Sequence, residues 1–153
     1  MFPQLARTSF YRGLTGLVLG TVAASAFAFQ SMDLTMGMFR IDTEVAASGP
    51  ERELGLMRRT SMPTNHGMLF VFPGPFKHCM WMRNTLLPLS VAFLDDDGRI
   101  INVEDMQPQT ENNHCAAKPA RYALEMNIGW FKKHGFGAGT QIMGIDRAPK
   151  PSF

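Results

Sequence analysis

The stretch Phe76 to Leu94 most constrains the fold, because an apolar run is interrupted there by Arg83-Asn84-Thr85 and then by Pro88. Proline inside a helix removes a hydrogen bond and clashes with the preceding turn, whereas β-branched and aromatic residues suit a pleated surface. The stretch therefore predicts two strands joined by a Pro-bearing turn, the second covering Ser90 to Leu94. Strand side chains alternate faces. Cys79, Trp81 and Arg83 then share one face, and His78, Met80, Met82 and Asn84 the other. Neither face is plainly polar, so both are expected to be covered.

The flanking chain reads the same way. Phe39, Ile41, Thr43 and Val45 alternate with polar residues, which predicts a half-buried strand. Ser48-Gly49-Pro50-Glu51 is a capping-box pattern opening a short helix. Leu54 and Met57 are expected on its inner face, with Arg52 and Arg59 more exposed. Gly67 to Phe72 is a continuous apolar run that suits a strand buried on both faces, ended by Pro73-Gly74-Pro75. Asp95-Asp96-Asp97-Gly98 reads as a hairpin turn into a strand from Arg99 to Glu104. Its spacing lacks the calcium-loop pattern. Met106 to Pro119 is a long irregular segment, of a length that in compact domains is functional or pinned down.

Ala120 to Met126 predicts another strand, with Tyr122, Leu124 and Met126 inward against Arg121 and Glu125. A short helix over Gly129 to His134 and a last strand over Thr140 to Ile145 complete the chain. About seven short strands and two short helices without βαβ alternation point to a single compact, mainly β domain: an antiparallel sandwich or half-open barrel.

The first residues read as a secretory leader. Arg7 and Arg12 supply a basic start, Gly13 to Ala26 an uncharged apolar run, and Ala26-Phe27-Ala28 a cleavage site. Cleavage after Ala28 is expected, giving a periplasmic or extracellular protein without stable membrane association. The formal net charge of +2 falls to zero once the two leader arginines are removed. A neutral chain offers no electrostatic footprint for nucleic acid. Cys79 and Cys115 are the only cysteines, and in an oxidising compartment they are expected to pair.

Gly67-Met68-Leu69-Phe70-Val71-Phe72, then Met80-Trp81-Met82-Arg83-Asn84-Thr85 and Pro88-Leu89, resemble the DUF192 (UPF0127) family. Glu53-Leu54-Gly55-Leu56-Met57-Arg58-Arg59 and Ala120-Arg121-Tyr122-Ala123-Leu124-Glu125-Met126 look like its other marks. The resemblance implies a jelly-roll-like or half-open-barrel domain. It covers roughly Phe39 to Ile145; with the leader pattern, the lack of clear periodicity before Gly37 and the two prolines after Arg147, the chain is expected to divide into a leader (1–28), a loose N-terminus (29–38), the DUF192-like domain (39–146) and a flexible tail (147–153). The family's name records no assigned activity. Two departures stand out: the family commonly has Lys where Arg83 stands and Asp where Ser90 stands.

No nucleophile elbow, zincin, phosphate-loop or dinucleotide motif is present. The best polar cluster is Arg83-Asn84-Thr85 with Arg58, Gln107 and Arg121, and Met82, a motif position of the resemblance, joins them as a candidate ligand contact. Polar groups within buried strands must be satisfied or face a cleft. The cluster is therefore either a cleft for an anionic or amide-bearing ligand, or an internal network tying loops to the sheet. His78, Met80, Met82 and His114 carry the ligand types that select Cu(I), although strand parity and the routine use of methionine in cores oppose a copper site. The leading reading is a non-enzymatic ligand-binding or accessory domain whose partner is a small molecule or an envelope protein, with no cofactor. A hydrolase or transferase built on Arg58, Arg83, Glu104 and Arg121 is the alternative from another class, and copper handling is a third.

Overall fold

A computed structural model describes residues 28–153. The expected leader falls on residues outside those described. Nine strands and two α-helices follow in chain order: β1 (Gln30–Met36), β2 (Phe39–Ala46), α1 (Gly49–Leu54), β3 (His66–Phe76), β4 (Cys79–Met80), β5 (Leu89–Leu94), β6 (Ile100–Met106), β7 (His114–Cys115), β8 (Ala120–Asn127), α2 (Trp130–Lys133) and β9 (Ile142–Met143). Seven of the strands form one sheet in the order β6-β5-β8-β3-β2-β1-β9, curled into a half-barrel, and β4 and β7 form a separate two-stranded ribbon.

The expected mainly β half-barrel is what the chain forms, with one addition. β2 and β3 run parallel, pairing Thr43 with Gly67 and Val45 with Leu69, while the other pairs are antiparallel. A parallel pair needs a crossover rather than a tight turn. Residues 47–65, carrying α1, supply it.

The sheet is covered on both faces. On β3, Leu69 and Val71 enter one apolar cluster, with Leu124 and Met126 of β8, Ala92 and Leu94 of β5, and Trp130 and Phe131 of α2. Met68, Phe70 and Phe72 point the other way, into a second cluster with Ala123, Val91, Phe93, Leu56, Met80 and Met82. Two-sided burial explains why β5 is buried at all six positions and reads as an unbroken apolar run.

Several expectations are corrected. Residues 29–38 are not loose: β1 zips against β2, with Leu34 opposite Ile41 and Met36 opposite Phe39. Met32, Leu34 and Met36 supply an inward period of two, and Gly37, at φ 57°, turns the hairpin. In the central stretch only Phe76, the end of β3, and Cys79–Met80 pair as strand before Leu89. Alternation nevertheless persists, with Met80 and Met82 buried and Cys79, Trp81 and Arg83 outward. That outward face is open, not covered.

The capping box at Ser48 and Glu51 forms, yet α1 buries none of its residues. Leu56, just beyond the helix, enters the core while Leu54 is exposed. Arg52 is spent on the carbonyls of Ala47, Val71 and Ser152, and Arg59 on Glu44. The last strand shrinks to β9, followed by a 3-10 turn over Ile145–Arg147. The tail is docked rather than frayed, since the Ser152 N–H donates to the Ala47 carbonyl at 2.9 Å.

Cys79 and Cys115 stand directly opposite one another in the β4–β7 ribbon and are bonded. Their sequence separation of 36 residues implies roughly 3–4 kcal/mol of stabilisation in the chain-entropy account. Backbone bonds fasten the same long loop: Met82 N–H to Thr110 C=O, Gln109 N–H to Thr85 C=O, and Ala116 N–H to His78 C=O. Replacing both cysteines by Ser should lower the unfolding free energy by about 2–4 kcal/mol in denaturant titrations. It should also speed proteolysis within residues 107–119. Unchanged stability with unchanged cleavage would contradict the pinning role.

Candidate functional site

The described residues form a cleft of about 440 Å³ over the second apolar face of the sheet, within the range of small-molecule sites. One wall is the segment from Arg52 to Met57. The other is the β4 ribbon with Trp81, and Phe70 and Phe72 project from β3. Gly55 lets the first wall sit close, because its φ is 46° and a Cβ there would lie 3.1 Å from the Phe70 ring. The wall continues into Arg58, which also has positive φ (62°) and whose N–H donates to the carbonyl of Asn84 (φ 57°) at 2.8 Å. Left-handed backbone is uncommon for residues other than glycine. This bond clips the turn at residues 82–85 to the α1 segment.

Glu125 lines the cleft. It sits on β8 opposite Met68 of β3 and Val91 of β5, in the middle of the sheet, and is 4% exposed. Burial pushes its carboxyl up to about 8, and no hydrogen bond or neighbouring charge acts against that effect. No polar atom among the described residues is both fully enclosed and unpaired. The carboxyl is therefore unpartnered yet open to the cleft, and at neutral pH it is largely a neutral acid. Arg52, Glu53 and His78 are the other titratable groups on the cleft walls. Both terminal nitrogens of Arg52 are taken by backbone carbonyls. His78 stacks on Phe72 with centroids 3.8 Å apart, and its Nε2 lies 2.8 Å from the Gly74 carbonyl, which fixes the proton there.

Of the polar cluster read from the sequence, Thr85 alone lines this cleft. Arg58 and Asn84 act through backbone, and Met82 is core. Arg83 points outward, ion-paired with Glu111 at 2.9 Å and stacked 4.1 Å over Trp81. Gln107 is exposed, and its carbonyl caps Thr110 Oγ1–H. Arg121 ties Asp96 to the Pro73 carbonyl. The cluster is thus mostly a set of loop ties, and the cleft beside it is more apolar than the residue types suggest.

The groups of the enzymatic alternative do not share a cavity: Glu104 lines a separate depression with Ser90 and Asp105. Ser90, standing where the family commonly has Asp, is buried. It donates to the Asp105 carboxylate across the strand pair and accepts the Gly129 N–H at 2.8 Å. The disulfide takes both thiolates from any soft-metal set. His114 sits opposite Met80 in the ribbon, and no group of three or more His, Cys, Asp or Glu is gathered among the described residues.

The sequence reading set Glu125 on a polar strand face and so missed it. No local signal marks it, because its burial comes from β8 lying between β3 and β5 in the sheet.

A small curled-sheet half-barrel with a disulfide-pinned ribbon over an apolar cleft defines the class of domain. The chain belongs to the DUF192 family, described as "Uncharacterized ACR", whose model matches residues 32–144. It resembles a "putative transcription regulator" from Sinorhizobium meliloti, at 32% identity and a TM-score of 0.74 over 76% of this chain and 95% of that one. It also resembles a protein of unknown function from Novosphingobium aromaticivorans, at 31% identity and a TM-score of 0.72 over 77% and 88% of the two chains. No curated protein matches.

The raised Glu125 carboxyl makes a directional prediction. The folded protein holds this proton up to about pH 8, whereas the unfolded chain releases it near 4.3. Stability is therefore greatest below the unfolded value and declines as pH rises through the folded one. The slope reaches at most about 1.4 kcal/mol per pH unit. Glu125→Gln should flatten that slope in denaturant titrations from pH 5 to 8. An equal slope in the variant would contradict the assignment.

Proposed function

We propose that the chain is an exported binding domain and that a small molecule occupies the cleft floored by Glu125. The observation that carries this reading is the carboxyl itself: almost wholly buried, without a hydrogen-bond partner among the described residues, and lining the cleft. Leaving a buried polar group without a partner costs about 1–3 kcal/mol. A packed core would replace it with an apolar side chain, but a site that receives a ligand group has a use for it. Export is supported by the leader pattern in the first residues and by a disulfide of the kind that persists in oxidising compartments. No helix among the described residues is long and apolar enough to cross a membrane. The regulator description of the Sinorhizobium protein is not carried over, since the chain after Ala28 has no net charge with which to attract nucleic acid.

A fragment screen read by NMR tests the binding reading. Bound fragments should shift the amides of Phe70, Met80, Trp81 and Glu125. Leu54→Trp, which adds bulk at the cleft from an exposed position, should weaken them about tenfold or more, a loss of 1.4 kcal/mol or more. Shifts scattered over the surface and insensitive to that change would count against the cleft.

A further inference from the structure

The polarity of the cleft narrows what it can hold. Its wall charges are few and mostly committed: Arg52 bonds three backbone carbonyls, and His78 is stacked and bonded. What remains for a ligand is acidic: Glu125 on the floor and the exposed Glu53 at the side. An anionic ligand would meet carboxyls with no free cation among the described lining residues to answer it. A neutral ligand would gain only an ordinary hydrogen bond from the carboxyl. A cation alone makes use of the ionised form, through a charge-assisted hydrogen bond in a low-dielectric setting. The remaining walls agree, because the Phe70 ring attracts positive charge and Met57 and Met80 are soft and adaptable, while Phe72 and Trp81 already carry stacked His78 and Arg83 on one face each.

We propose that the cleft takes a compact organic cation: a primary ammonium on an apolar or aromatic body, paired with the Glu125 carboxylate and seated against Phe70, Phe72 and Met80. This rests on the binding reading above and adds the ligand's chemical class. The pairing needs Glu125 ionised, so below about pH 8 the carboxyl proton leaves to solvent as the ammonium arrives. Arg52, Glu53 and His78 are the other titratable groups facing the cleft.

The test compares 2-phenylethylamine with the near-isosteric neutral 2-phenylethanol, titrated by NMR into the disulfide-intact protein from pH 6 to 8. The amine should bind at least about tenfold more tightly than the alcohol at pH 8, and its affinity should rise with pH by up to about tenfold per unit. In Glu125→Gln the preference should vanish while the alcohol still shifts the Phe70 and Met80 amides. The alcohol binding in the cleft as tightly as the amine, or a preference that survives Glu125→Gln, would overturn the cation assignment and leave the binding reading standing. Neither probe shifting the cleft amides in the parent protein would overturn both. The comparison within the parent protein keeps the proposal falsifiable even if the variant folds poorly.

Discussion

Two-sided burial of the three central strands governs this molecule. β8 lies between β3 and β5, so residues on either of its faces meet an apolar cluster. Alternation, which on a half-exposed strand would send every second residue to water, here leaves the middle of β8, Ala123 to Met126, buried on both faces. Glu125 cannot escape by reaching for solvent across the sheet. Its carboxyl must be neutral or be met by something that enters over that face. The chemistry of the cleft follows from strand order, not from an active-site motif.

The cover over that face is assembled from local devices, each holding a different edge. The capping box at Ser48 and Glu51 fixes where the first wall begins. Gly55 brings that wall down onto Phe70. The left-handed Arg58 and Asn84 clip it to the turn after β4, and the Cys79–Cys115 bond ties that ribbon to the long loop. Arg83 stacked on Trp81 and paired with Glu111 is a surface tie of the same kind, of small energetic weight because both charges are in water. None of these devices fills the space they surround. Bulky side chains enclose the cleft without packing into it, which is how a binding cavity differs from a core.

The fold was largely legible because its signals are periodic. The apolar run at Gly67 to Phe72, the alternation from Phe39 and the capping box each act locally, and each formed; Pro73-Gly74-Pro75, expected to end the strand, only disturbs its register, because β3 runs on to Phe76 and pairs again with Ala120. What stayed hidden depends on pairing. β1 has its own alternation, but its weight comes from β2 across a hairpin. Its place directly after the expected leader made it read as loose. The parallel β2–β3 pair is invisible to local patterns because it depends on a crossover. The site was misplaced for a related reason. Arg83 and Arg121 drew attention as charges among apolar residues, yet both find carboxylate partners at the surface, on Glu111 and Asp96. Glu125 looked like an ordinary outward charge and is the one that the sheet encloses. Residue type alone does not separate these cases; strand order does.

The most direct test of the account is the titration of the Glu125 side-chain carboxyl, followed by carbon-13 NMR in the ligand-free protein with its disulfide intact. The account predicts a midpoint near pH 8, with the carboxyl protonated through the neutral range. A midpoint close to the ordinary glutamate value of about 4.3 would show that the group is solvated or already paired, and would contradict the central claim.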